Sequence, residues 1–194
     1  GVLYGVLGGG LFGLSLADSK VFKVNWASVI AEMVAFALLT YGLIVNQLEW
    51  LMTPPRSELW AACLGASIAL LWYIIRNRQE GALRIAVWSG LGAGFGFAFG
   101  NFLQVLGASS SLSINFWNVM EYSIGFFGGL GMGYGTLTST WPEQARADNR
   151  MGNLVPILFL TAFIPFVLWD QSFVADKLEF IIKQGGSANS VLFF

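Results

Sequence analysis

Six apolar stretches, at roughly 1–16, 26–51, 58–76, 82–106, 116–138 and 153–170, take up most of this 194-residue chain. A membrane span needs about 20 apolar residues to cross a hydrocarbon core about 30 Å thick. In lipid the backbone must satisfy its own hydrogen bonds, so runs of this length fold as helices. Composition agrees: 56% of the residues are hydrophobic and 11% charged, with a mean hydropathy of +0.66, against about 25% charged in soluble domains. The chain therefore reads as an all-α integral membrane protein, a bundle of about six transmembrane helices over residues 1–170. Stretch 26–51 is long enough to tilt. Stretch 1–16 is short and already apolar at Gly1, which leads us to expect a segment upstream of it.

Tryptophans support these limits. Trp26, Trp50, Trp60, Trp117 and Trp169 fall at or near stretch ends, at the headgroup level that an apolar ring with a wet N–H prefers. Proline ends helices around Thr53–Arg56 and Thr140–Glu143. Lys20, Lys23, Arg76, Arg78, Arg84, Arg146 and Arg150 flank one set of loops (17–25, 77–81 and 139–152). Only Arg56, Lys177 and Lys183 flank the other. By the positive-inside rule the first set is cytoplasmic, and the expected location is a bacterial inner or plasma membrane. In the tail 171–194, Phe173, Val174, Leu178, Ile181 and Ile182 share a broad face, which reads as an interfacial amphipathic helix.

Glycine carries the strongest pattern. Gly1, Gly5, Gly9 and Gly13 recur every fourth residue, as do Gly92, Gly96 and Gly100, and Gly125, Gly129 and Gly133. Residues four apart share a helix face, and a stripe without side chains lets two backbones touch where lipid gives no hydrophobic drive to associate. The expectation is a tight inner cluster of the first, fourth and fifth spans, with the second, third and sixth facing lipid. Features of residues 1–76 also recur in 90–171: a glycine stripe, then Asn25-Trp26 with Glu32 echoed by Asn115-Phe116-Trp117 with Glu121. Inverted repeats of this kind occur in transporters.

Polar side chains at membrane depth invite a functional reading. Asn46, Gln47 and Glu49 end the second stretch, Asn101 and Gln104 lie near the end of the fourth, Asn118 and Glu121 near the start of the fifth, and Asp170 and Gln171 end the sixth. The pairs Asn101/Gln104 and Asn118/Glu121 are each spaced to share a helix face. Together with Glu49 and Trp117 they form a candidate site for a neutral hydroxylated solute or a cation on the non-cytoplasmic side.

Other chemistry is narrowed by what the sequence lacks. It has no histidine, which removes imidazole metal sites and Ser-His or Cys-His catalysis. Its one cysteine, Cys63, allows no intrachain disulfide. No cofactor or metal is expected. A net charge of −1 gives no electrostatic case for nucleic acid. Three functions stay open: a transporter or its membrane module, a non-catalytic helix-packing subunit or anchor whose partners are other membrane subunits or further copies of the chain, and an enzyme using Glu49 and Glu121 as acid and base. The balance leans away from an enzyme.

Overall fold

The structure, a computed structural model, describes residues 1–19, 21–52, 58–109, 115–142, 158–163 and 165–166. It divides into two units, Gly1–Ala145 and Arg146–Phe194. All regular structure among the described residues is helical. The first unit holds α1 (Val2–Ala17), α2 (Trp26–Tyr41), α3 (Leu59–Arg76), α4 (Glu80–Ala108) and α5 (Phe116–Leu137). In the second unit Phe159–Phe163 is π-helical. The rest of the expected sixth span, and the whole of the expected tail helix 171–194, lie outside the described residues.

Three helices are long and apolar enough to cross a membrane: Trp26–Gln47, Leu59–Arg76 and Glu80–Ala108. The protein thus has the makings of a membrane protein. α1 is apolar but only 16 residues long. α5 has 22 residues, and its glycines together with Asn118 and Glu121 dilute its apolar character.

Local chemistry sets the helix ends. Asn25 caps α2, its Oδ1 accepting from the Ser28 N–H at 3.1 Å, and Asn115 caps α5, its Oδ1 accepting from the Trp117 N–H at 3.1 Å. The echo between Asn25-Trp26 and Asn115-Phe116-Trp117 is therefore, at its asparagines, a repeated N-cap. α2 continues into a π-helical stretch, Gly42–Gln47. There the Leu48 N–H reaches five residues back, to Leu43 O, at 3.0 Å.

α3 ends in a Schellman turn. The Gln79 N–H donates to Ile74 O and the Arg78 N–H to Ile75 O, both at 3.0 Å. The left-handed position of that turn is held by Arg78, with φ 53°, where glycine is usual.

α4 is the hub of the first unit, packing along α5 on one side and α1 on another. A Cβ on Gly92 or Gly96 would collide with Phe127 O or Ser123 O of α5, and one on Gly100 would lie 2.6 Å from Met120 Cα. On α1, a Cβ on Gly5 would collide with Ser89 O, one on Gly9 would meet Ser89 Cβ at 2.6 Å, and one on Gly13 would meet Ala82 Cα at 2.6 Å. These helices meet backbone against backbone or against the smallest side chains.

On α5 the face turned to α4 is not that of Gly125, Gly129 and Gly133. Gly128, Gly131 and Gly135 meet Ala93, Trp88 O and Ile85 of α4, whereas Gly125, Gly129 and Gly133 have no described atom within 4 Å of a Cβ position. Steps of three and four, rather than four alone, keep a stripe on one face of a 3.6-residue helix.

The expected division between inner and lipid-facing spans also needs correcting for α3. It buries Ala61, Gly65, Ala69, Leu70, Tyr73 and Ile74. Gly65 brings it onto the α2 backbone at Phe36 O, and Leu70 packs over Gly10 of α1. A core of Leu14, Val24, Val29, Leu70, Tyr73, Ile74 and Ala82 gathers residues from α1 through α4. α2, by contrast, buries only Val29, with Val45 in its π-helical extension. α4 runs along α5, but α1 has no comparable seam with α2.

The offset between the α5 faces is testable in detergent by thermal unfolding. Gly96→Ala is expected to destabilise by about 1–3 kcal/mol through overpacking. Gly129→Ala is expected to be neutral or to stabilise by up to about 1 kcal/mol through helix propensity. Equal effects at the two sites would contradict the packing described.

Candidate functional site

Antiparallel packing sorts the polar residues into two groups. Gly100 lies on Met120 and Gly107 on the Phe116 ring, so the end of α4 and the start of α5 lie side by side, with Gln104 between those two levels. This end carries the candidate residues Asn101, Gln104, Asn118, Glu121 and Trp117. At the opposite end, Gly13 of α1 meets Ala82 of α4, Arg76 of α3 pairs with Glu32 of α2, and Arg84 of α4 reaches Thr138 of α5. We call the two the amide end and the basic end.

At the amide end the side chains bond within their own helices. Asn101 Nδ2 donates to Phe97 O at 2.8 Å, Asn115 Nδ2 donates to Asn118 Oδ1 at 3.3 Å, and Trp117 Nε1 donates to Glu121 Oε1 at 3.1 Å. Gln104 is half-buried on α4. The two i,i+3 pairs share a level, but among the described residues no hydrogen bond joins them across the α4–α5 seam. Glu121 is exposed, and Trp117 presents 56% of its surface. That is the arrangement of a helix start at a headgroup layer, where the indole is anchored by a carboxylate one turn on.

Glu49 belongs elsewhere. It follows the π-helical end of α2 with φ 50°, and α2 packs on α3 while α5 packs on α4. Glu49 and Glu121 therefore stand on helices that share no seam, and the structure does not bring them together as an acid–base pair.

The basic end is more heavily cross-linked. Arg76 Nη2 donates to Glu32 Oε1 at 2.7 Å while its guanidinium lies 5.5 Å from the centroid of the Tyr73 ring. A glutamate about two turns into α2 is thus neutralised by the last residue of α3. Tyr73 is buried, and its hydroxyl accepts from the Asn25 N–H at 3.0 Å. That bond ties the cap of α2 to α3 across 48 residues of sequence. Arg84 Nη1 donates to Thr138 O at 2.8 Å, placing a cation on the carbonyl end of α5. Trp141 Nε1 donates to Thr136 O at 3.0 Å.

Two polar cavities of about 170 and 210 Å³ open at this end, both bordered by Glu80, Gly81 and Thr140. Sequence reasoning counted Arg76, Arg78 and Arg84 only as topogenic charges. The Schellman turn at Arg78 and the recess beside it left no periodic signal. The one available clue was an arginine directly after Asn77 at a helix stop, where glycine would be expected.

No protein-family model, curated protein or solved structure matches this chain. Its function is therefore argued from the geometry alone.

Two contacts at the basic end differ in expected weight. Tyr73→Phe removes a hydrogen bond from a buried ring and is expected to cost about 1–2 kcal/mol of unfolding free energy. The Arg76–Glu32 pair is partly exposed, 45% and 28% by side chain, and Glu32→Gln should cost less than about 1 kcal/mol. Denaturant unfolding of the two variants in one detergent checks the order; a larger loss for Glu32→Gln would reverse it.

Proposed function

We propose that this chain is a helix-packing subunit of a membrane assembly, in which α1 and α5 cross the bilayer together with the three long apolar helices. The observation that carries this reading is the second glycine face of α5. Gly125, Gly129 and Gly133 stand one turn apart with no described neighbour over them, flanked by exposed Tyr122, Phe126 and Leu130. A bare stripe is the standard device for bringing two membrane helices together, and α4 already uses such stripes within the chain. The amide end is compatible with the same reading, since Asn101, Asn118 and Glu121 bond to groups of their own helix or its cap. By its excess of basic loop residues, the basic end is assigned to the cytoplasm.

A second reading, transport of a polar solute past Asn101, Gln104, Asn118 and Glu121, draws on the π-helical stretch Gly42–Gln47. Departures of this kind from α geometry accompany functional sites and hinges. Uptake of labelled polyols and monovalent cations into reconstituted vesicles tests it. Glu121→Gln should abolish uptake, and wild-type rates in that variant would remove the site.

For the subunit reading, light scattering of the chain purified in mild detergent is expected to give a mass above one protein copy. Gly129→Leu should reduce that mass to one copy while the thermal unfolding midpoint stays within a few degrees. A wild-type chain that runs as a single monodisperse copy would sink the proposal.

A further inference from the structure

The polar recess at the basic end has features that packing does not use. It lies where the end of α3, the start of α4 and the residues following α5 come together. Its two adjoining cavities are lined by Arg78, Glu80, Arg84, Ser139 and Thr140, among others. Their volumes, about 170 and 210 Å³, are ample for a tetrahedral oxyanion with its waters.

The donors present fit such an anion. Arg78 is exposed, and among the described residues its guanidinium has no hydrogen-bond or ion-pair partner. Arg84 spends one of its guanidinium nitrogens on Thr138 O and keeps the others. The Thr140 hydroxyl has no partner among the described residues, whereas Ser139 already donates its own to Gly135 O. Two features oppose an anion: Glu80, whose carboxylate borders both cavities and has no cationic partner among the described residues, and the carbonyl end of α5 beside it. Arg84 borders one of the two cavities and Arg78 the other, and Glu80 borders both.

The backbone at Arg78 supports the same reading. Arg78 holds the left-handed position of the α3 turn at φ 53°, a conformation that is unfavourable for a residue with a Cβ and free for glycine. Among the described residues the guanidinium makes no hydrogen bond or ion pair that would repay that choice. A strained position whose side chain points to no internal partner leads to a hypothesis of function.

We propose that this recess binds a phosphate ester, with Arg78 as the principal contact, Arg84 as the second and Glu80 as a carboxylate that weakens the site. In a membrane protein the nearest source is a lipid headgroup at the bilayer surface; a soluble phosphate compound carries the same chemistry. This inference is independent of whether the chain assembles with partners.

The test uses the full chain purified in neutral detergent, with the thermal midpoint and native mass spectrometry as readouts. The probes are phosphatidylglycerol, phosphatidylcholine and inorganic phosphate. Retention of phosphatidylglycerol over phosphatidylcholine, with no response to inorganic phosphate, identifies the lipid source. A response to inorganic phosphate without lipid identifies the soluble one. In either case Arg78→Gln should weaken binding about tenfold, as expected for loss of one charge-assisted contact, and Glu80→Gln should strengthen it severalfold.

Arg78→Gly separates binding from folding. It should raise the midpoint of the unliganded chain by relieving the left-handed strain, yet lose the response to the phosphate probe. Binding unchanged in both Arg78→Gln and Arg78→Gly, or no binding of any probe, would overturn the proposal.

Discussion

Everything in the first unit hangs on how closely α4 is approached from two sides. Its neighbours α1 and α5 come near enough that an added methyl group would meet backbone oxygen or Cα at Gly5, Gly13, Gly92, Gly96 and Gly100. Helices in lipid gain nothing from hiding apolar surface from each other, because the surrounding chains are as apolar as leucine. What holds them is short-range dispersion, which falls off steeply once a gap opens. Glycine is therefore a requirement of this geometry, and each stripe position is a place where any other residue forces the pair apart.

The remaining helices use different means. α3 docks on α1 through Leu70 over Gly10 and on α2 through Gly65, and the shared core sits at the basic end. There polar bonds reinforce apolar packing: Tyr73 to the Asn25 backbone, Arg76 to Glu32, Arg84 to Thr138. Among the described residues, the candidate side chains of the amide end bond only within their own helix or to its cap. One end of the unit is stapled, and the other is held mainly by the α4–α5 seam.

Much of this was legible in the residues. Hydropathy and proline placed the first five helices to within a few residues, because apolar runs in lipid have one regular solution. Gly5, Gly9 and Gly13 of α1 and Gly92, Gly96 and Gly100 of α4 each lie close against a neighbouring helix. α5 carries six glycines between Gly125 and Gly135, enough for two faces, and spacing alone could not say which of them meets α4. α3 was misjudged because Leu, Ile and Tyr suit a core and a lipid-facing surface equally well; only neighbours decide. The amide pairs stand at the same end of the α4–α5 seam. Whether they bond across the seam depends on side-chain reach, which periodicity does not encode. Arg78 was invisible as anything but a charge, since its character comes from a backbone dihedral.

The unequal embedding of the helices bears on how the protein meets a bilayer of changing thickness. α4, with 29 residues, is about 43 Å long at 1.5 Å per residue, well beyond a hydrocarbon layer of about 30 Å, so in a bilayer it would lean or project its ends. Because α1 and α5 touch its main chain, they lean with it as one rigid plate. α2 is gripped at only two buried positions along its course and loosens into wider turns before it ends. Hydrophobic mismatch would therefore be absorbed by α2 sliding and rewinding against a stiff remainder, making that helix the compliant edge of the molecule.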